Sequence, residues 1–129
     1  MEGMAVQLRV RLSAADAHYG GNLVDGAHGL ELFGDVVTEL AIRTDGDEGL
    51  FAGYSTVEFL ASIQAGDVLE ATATVTRIGS RSRELRFEAR VVCRASPDRG
   101  PSAARVLDPP VVVTRATGTV VVPGASRQA

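Results

Sequence analysis

Strict alternation of apolar and polar residues fills most of the second half of this chain, and only one stretch of the first half has helical spacing. Val68 to Ile78 reads VLEATATVTRI, Glu84 to Arg94 reads ELRFEARVVCR, and Val111 to Val122 reads VVVTRATGTVVV. Period two over runs of this length marks strands with one buried and one wet face. Val6 to Leu12 (VQLRVRL) alternates in the same way, and Phe51 to Ile63 is predicted as one further, bent strand. By contrast, Leu30, Phe33, Val37, Leu40 and Ala41 recur at helical spacing and predict an amphipathic helix from Gly26 to Ala41. Asn22 or Asp25 could cap its N-terminus.

Between these elements lie polar segments. Ser13 to Asn22 is predicted as a loop that includes the pair Gly20-Gly21. Thr44 to Gly49 (TDGDEG) is an acidic turn, Gln64 to Asp67 a second turn, and Gly79 to Arg83 a tight connection. Ser96 to Asp108, rich in Pro, Gly, Ser and Arg, is predicted as a flexible loop, and residues 124–129 as a disordered tail. The order implies an α+β domain, an antiparallel sheet of about five strands wrapped around one central helix. A chain of 129 residues suits a single domain covering residues 1–129. Aromatic residues make up 5% of it and Trp is missing, so Val, Leu, Ile and Ala must fill the core. A sheet curled around one helix leaves an edge or face open, and homo-oligomerisation is the usual remedy.

Several functional classes are disfavoured. The net charge is −3 with no large basic patch, which argues against a nucleic-acid partner. No apolar run approaches the roughly 20 residues needed to span a bilayer, and no signal-peptide pattern opens the chain. The reading is a soluble, cytoplasmic protein. Cys93 is the one cysteine, so no disulfide forms within the chain. His18 and His28 with a lone cysteine make no zinc set, and no metal is expected. Neither a P-loop nor a dinucleotide glycine motif occurs, so no separate cofactor is expected.

Some residues carry chemistry in their pattern. His28, Glu31, Asp35 and Glu39 form a narrow stripe opposite the apolar face of the helix. Asp35 and Glu39 are four apart on one face, where like charges repel. They read either as general bases or as a solvated helix face. The helix entry, with Gly20, Gly21 and Gly26, could bring a ligand against free backbone N–H groups, or could be a glycine turn that feeds a helix. Gly79-Ser80-Arg81-Ser82-Arg83 offers hydroxyls, N–H groups and guanidiniums suited to phosphate, or is a soluble β-turn. Arg115, in an apolar strand, is either paired with Glu88 or Asp108 or touches a ligand.

The segments DAHYGGNLVDGA (Asp16 to Ala27), LFGDVVTEL (Leu32 to Leu40), DGDEGLFAGY (Asp45 to Tyr54) and VEFLASIQAGDVLEA (Val57 to Ala71) occur in that order. RIGSRSRELRFEARVV (Arg77 to Val92) and DPPVVVTRATGTVVVP (Asp108 to Pro123) follow. Together they resemble the 3-aminobutyryl-CoA and β-alanyl-CoA ammonia lyase group of the hot-dog-fold acyl-CoA enzymes. The resemblance covers nearly the whole chain, from Leu8 to Pro123. The chain departs from that pattern at His28, where Arg is expected, and in the Pro- and Arg-rich segment from Ser96.

The resemblance implies a hot-dog fold and reversible elimination of ammonia from a β-amino acyl-CoA to a 2-enoyl-CoA. It implies a dimer unit with a shared site, as a dimer or trimer of dimers, with coenzyme A present as part of the substrate. The implied catalytic residues are Asp35, Glu39 and His18. Tyr19, Gly20, Gly21, Asn22, Gly26, Asp45 and Tyr54 are the substrate-binding candidates. Gly79, Ser80, Arg81, Ser82, Arg83 and Arg115 are the candidates for coenzyme A. The alternatives are an acyl-CoA thioesterase, in which the same base activates water, and a non-catalytic CoA binder.

Overall fold

The computed structural model describes residues 1–123, so the predicted tail at 124–129 lies outside the described residues. Nine elements follow in order: β1 (Ala5–Arg11), β2 (Ala17–Tyr19), β3 (Leu23–Val24), α1 (Ala27–Asp45), β4 (Leu50–Phe59), β5 (Ile63–Gln64), β6 (Val68–Ile78), β7 (Ser82–Ala95) and β8 (Ala104–Val121). Short 3-10 turns occur at Ala14–Asp16 and Pro97–Arg99. The main sheet has five antiparallel strands in the order β1-β6-β7-β8-β4, and β2, β3 and β5 form a small second sheet. The single helix packs against β6, β1 and β8. This is the predicted helix wrapped by a sheet.

The alternating pattern explains the layering. Leu69, Ala71, Ala73 and Val75 of β6 are buried beside Leu85, Phe87, Ala89 and Val91 of β7, and face Phe33, Val36, Val37 and Leu40 of α1. Phe33 stacks on Phe87 with ring centroids 5.0 Å apart, and Phe51 and Tyr54 close the cluster edge-on. The intervening residues, Glu70, Thr72 and Thr74 on β6 and Arg86, Glu88 and Arg90 on β7, lie on the opposite face and are polar or charged. On that face Glu70 is covered by Arg9 and Arg90, which bond its two carboxylate oxygens and hold its pKa below the usual carboxylate value, Arg90 most.

Three boundaries differ from the sequence expectation. The helix runs past Ala41 to Asp45 and ends on Gly46, whose left-handed φ of 66° suits glycine as the terminating residue. β4 stops at Phe59 rather than running to Ile63. The chain then turns so that Leu60 N–H bonds the Val113 carbonyl, and Ile63–Gln64 joins β3. The C-terminal part of the predicted loop from Ser96 to Asp108 is ladder: Ala104, Arg105 and Val106 pair with Ala95, Arg94 and Cys93. Pro109 and Pro110 fall inside the register shift between Val91 and Cys93, so their missing N–H groups cost no pairing.

Candidate active site

The segment entering the helix is held more tightly than a polar loop would be. Ser13 caps the turn Ala14–Asp16: its backbone N–H donates to Asp16 Oδ2 at 2.7 Å, and its hydroxyl to the same oxygen at 3.2 Å. That bonding holds the Asp16 carboxyl below the usual carboxylate range. Ala17–Tyr19 then pairs with Leu23–Val24 as a small hairpin tipped by Gly20, Gly21 and Asn22. Gly21 and Asn22 take left-handed φ values of 71° and 60°, a conformation that Gly and Asn tolerate best. Behind the hairpin, Ala65 N–H bonds the Asn22 carbonyl at 2.8 Å. Asp67, fully buried, accepts from Gln64 N–H and from Arg94, fastening the small sheet to β7.

Of the predicted site residues, His18, Tyr19, Gly20, Gly21 and Asn22 are thereby brought together on one exposed hairpin. The His18 and Tyr19 rings meet edge-on at 4.8 Å. A cleft of about 440 Å³ opens beside it, lined in part by Arg11, Ser13, Asn22 and Gly66. None of the helix carboxylates lines that cleft.

Gly26, not Asn22 or Asp25, is the residue that starts α1, and no side chain caps it. A Cβ on Gly26 would stand 2.4 Å from a Phe59 ring carbon, so glycine lets the β4 aromatic lie against the helix entry. One turn on, Gly29 faces the Thr114 hydroxyl, a buried oxygen with no hydrogen-bond partner among the described residues. The backbone at the helix entry thus lies against Phe59 and Thr114.

Asp35 and Glu39 are both exposed, on the helix stripe that also carries His28. Glu39 is engaged: Arg43 donates to its Oε2 at 2.7 Å. Asp35 has no such bridge among the described residues, and the space over Gly34 is open, so no contact within the chain accounts for that glycine. Tyr54 is half-buried on Phe51 and Phe87, and burial pushes its hydroxyl pKa up.

The coenzyme A candidates divide. In the turn at 79–83, Ser80 and Arg81 point outward, and Gly79 N–H bonds the Ser82 carbonyl at 2.8 Å. Arg83 corrects the sequence reading. Its side chain is 8% exposed and donates to Asp45 Oδ1 at 2.7 Å, and to the carbonyls of Gly79 and Ser82. Asp45 is corrected with it. Predicted in an acidic turn as a substrate-binding candidate, it lies in the last helical turn with its side chain 3% exposed. Arg115 also moves: strand alternation puts Thr114 toward the helix and Arg115 on the opposite, outer face, where Glu88 pairs with it at 3.4 Å. It joins the charged lattice there rather than the helix side of the sheet.

The turn at 79–83 touches the C-terminal end of α1 through Asp45, and the hairpin lies at its N-terminal end. A helix of 19 residues is about 28 Å long, so one chain keeps these two groups of candidates apart.

One constellation escaped the sequence reading. His28, expected to be a plain helix-surface residue, is half-buried between two carboxylates. Its Nδ1 lies 2.9 Å from Asp25 Oδ1 and its Nε2 3.4 Å from Asp16 Oδ1. The hydrogen bond with Asp25, and then that with Asp16, raises the imidazole pKa. The same bond lowers that of Asp25. The spacing of Asp25 and His28, three apart at a helix start, was the available signal.

Comparison with known proteins places this architecture. The thioesterase superfamily profile matches residues 26–92. The chain is 56% identical over 116 residues to the 3-aminobutyryl-CoA ammonia lyase of Acetoanaerobium sticklandii, covering 90% of this chain and 92% of the relative. It superposes on the β-alanyl-CoA:ammonia lyase of Clostridium propionicum with a TM-score of 0.89 and 38% identity, over 99% of this chain and 90% of the other. An acyl-CoA hydrolase from Staphylococcus aureus, solved with butyryl coenzyme A, shares the fold alone at 17% identity and a TM-score of 0.72, over 95% of this chain and 65% of that one. The chain belongs to the thioesterase superfamily of hot-dog proteins and, within it, to the group of the 3-aminobutyryl-CoA and β-alanyl-CoA ammonia lyases.

Proposed function

We propose that the protein catalyses the reversible loss of ammonia from a 3-aminoacyl-CoA, giving a 2-enoyl-CoA, with Asp35 as the base. The 56% identity across 90% of the chain to a 3-aminobutyryl-CoA ammonia lyase carries the reaction class. The choice of Asp35 rests on the helix: Glu39 is held by Arg43, whereas Asp35 stands beside the open space over Gly34.

The chemistry asks for three groups. A base takes the α-proton, and the freed C–H electron pair forms the new double bond. The C–N pair leaves with nitrogen as ammonia. Hydrogen-bond donors hold the charge that develops on the thioester oxygen, and the N–H groups of Gly26 and Ala27 are the candidates. We assign orientation of the acyl group to His18, Tyr19 and Asn22 on the hairpin. Ser80 and Arg81 are the residues of the 79–83 turn still available to coenzyme A.

Because that turn lies at the far end of the helix, a site using both needs a second chain. Homo-oligomerisation, as a dimer or trimer of dimers, fits the open edge of β4, where Leu50 is 73% and Phe59 60% exposed. We place the enzyme in the cytoplasm; no helix among the described residues is long and apolar enough to cross a membrane. No metal and no cofactor beyond the coenzyme A of the substrate enters the proposal.

The test compares Asp35→Asn with Glu39→Gln on 3-aminobutyryl-CoA, following ammonia release. Removing a general base is expected to cost about 10²–10⁴-fold in kcat. That loss in Asp35→Asn, with a much smaller one in Glu39→Gln, supports the assignment. The reverse order gives the role to Glu39.

A further inference from the structure

His28 joins two separate pieces of chain. Asp16 ends the 3-10 turn that precedes the hairpin, and Asp25 follows it. Between them lie Ala17 to Val24, the residues that present His18, Tyr19, Gly20, Gly21 and Asn22. The hairpin ladder is short, two pairs to β3, and its tip is exposed. Without the imidazole, the two carboxylates flanking it would carry like charge across the neck of the hairpin. With it, Asp25 Oδ1 and Asp16 Oδ1 sit 2.9 Å and 3.4 Å from the two ring nitrogens.

We propose that His28 is a positioning residue, a clamp at the neck of the hairpin that holds Asp16 to Asp25 and so fixes the placement of His18, Tyr19 and Asn22. The inference deepens the lyase reading and rests on it only for its kinetic consequence; the clamp itself is a claim about the hairpin.

A doubly protonated imidazole donates from both nitrogens, one to each carboxylate. A neutral ring has one N–H and must leave one carboxylate facing a lone pair. The clamp is therefore complete only while His28 is charged. Two carboxylates flank it directly. Asp16 belongs to the 3-10 turn and Asp25 precedes the helix. His18, on β2, acts on Asp25 through space. Along its own helix, Glu31 is one turn on and exposed.

The sign follows from these groups. The His28 pKa is raised above its ordinary 6.5, so its contribution is complete below that value and is lost as pH rises through the raised one. The Asp16 and Asp25 pKa values are lowered from 3.8, so their part is lost only as pH falls below that value. The clamp therefore holds at mildly acidic pH and opens as pH rises through the raised imidazole pKa.

The experiment measures amide hydrogen exchange of residues 17–24 across pH, corrected for intrinsic rates, in the wild type, His28→Gln and His28→Arg. Thermal melts confirm that each variant folds. The same three proteins are assayed for ammonia release from 3-aminobutyryl-CoA, with kcat and KM separated. In the wild type, protection of the hairpin should fall as pH rises through the imidazole titration, and KM should rise with it. In His28→Gln, protection should be low at every pH and KM raised about tenfold, the scale of one hydrogen bond to a charged group. In His28→Arg, which keeps a cation at all pH, protection should return and lose its pH dependence. Hairpin protection in His28→Gln equal to wild type, or no restoration in a folded His28→Arg, overturns the clamp. If exchange behaves as described but none of the three proteins releases ammonia, the clamp stands and the lyase reading falls.

Discussion

Asp45→Ala removes one half of a buried ion pair and leaves the other half uncompensated. Arg83 and Asp45 have side chains 8% and 3% exposed and meet at 2.7 Å, so solvent screens them little. Breaking such a pair from one side costs about 3–5 kcal/mol, a large share of the roughly 5–15 kcal/mol that stabilises a domain. With a urea m-value of about 2 kcal/mol/M, the midpoint should fall by about 1.5–2.5 M. Removing both partners is expected to cost less. Arg83→Leu in the same chain takes away the stranded charge, and with it the Arg83 Nε donor that has no acceptor among the described residues. Equilibrium urea unfolding, at one protein concentration for all variants because assembly shifts apparent stability, reads both numbers. Two results would refute the reasoning: Asp45→Ala within about 1 kcal/mol of wild type, or a double variant no more stable than the single one. Either would return Arg83 to the coenzyme A site, and a matching rise in KM for the acyl-CoA would settle that reassignment.

Three further outcomes follow from the geometry. Arg115→Ala should leave stability within about 1 kcal/mol, since an exposed pair contributes little. It should also leave KM for the acyl-CoA within about twofold, because the residue lies on the outer sheet face; a large rise in KM would contradict that placement. Arg81→Ala, at an outward-facing turn position, should raise KM with kcat unchanged, as loss of uniform binding does, and a fall in kcat alone would count against a coenzyme A role. Phe87→Ala should cost about 3–5 kcal/mol of stability in urea unfolding, because Phe33, Phe51 and Tyr54 all rest on its ring.

What the sequence made legible was what period and spacing encode. The three long alternating runs and the single amphipathic stretch yield a sheet around one helix, because burial on one face dictates residue type at every second or every third to fourth position. Where pairing overrode local chemistry, the sequence was silent. Pro109 and Pro110 lie between the predicted loop and the predicted strand, yet the ladder absorbs them in a register shift and continues to Ala104. Ala17–Tyr19, Leu23–Val24 and Ile63–Gln64 are too short to show a period; only their partners make them strands. The Ser13-Ala-Ala-Asp16 spacing is a capping-box pattern that forms a 3-10 turn inside a stretch whose polarity alone predicts a loop.

The candidate site divides along the same line. The hairpin residues His18 to Asn22 are contiguous, so their grouping was readable. Asp45 and Arg83 are 38 residues apart, and nothing local distinguishes an Arg that meets phosphate from one that meets a buried carboxylate. The meeting of Asp16, Asp25 and His28 likewise depends on the hairpin folding back, which brings Asp16 to a residue 12 positions away.

The reaction class can be tested directly by product. Purified protein is mixed with crotonyl-CoA in ammonium buffer and the thioesters are resolved by mass spectrometry, beside Asp35→Asn. The account expects an adduct heavier by one ammonia, formed by the wild type and lost in the variant. Free coenzyme A without the adduct would contradict it and assign the chain the hydrolytic chemistry of a thioesterase instead.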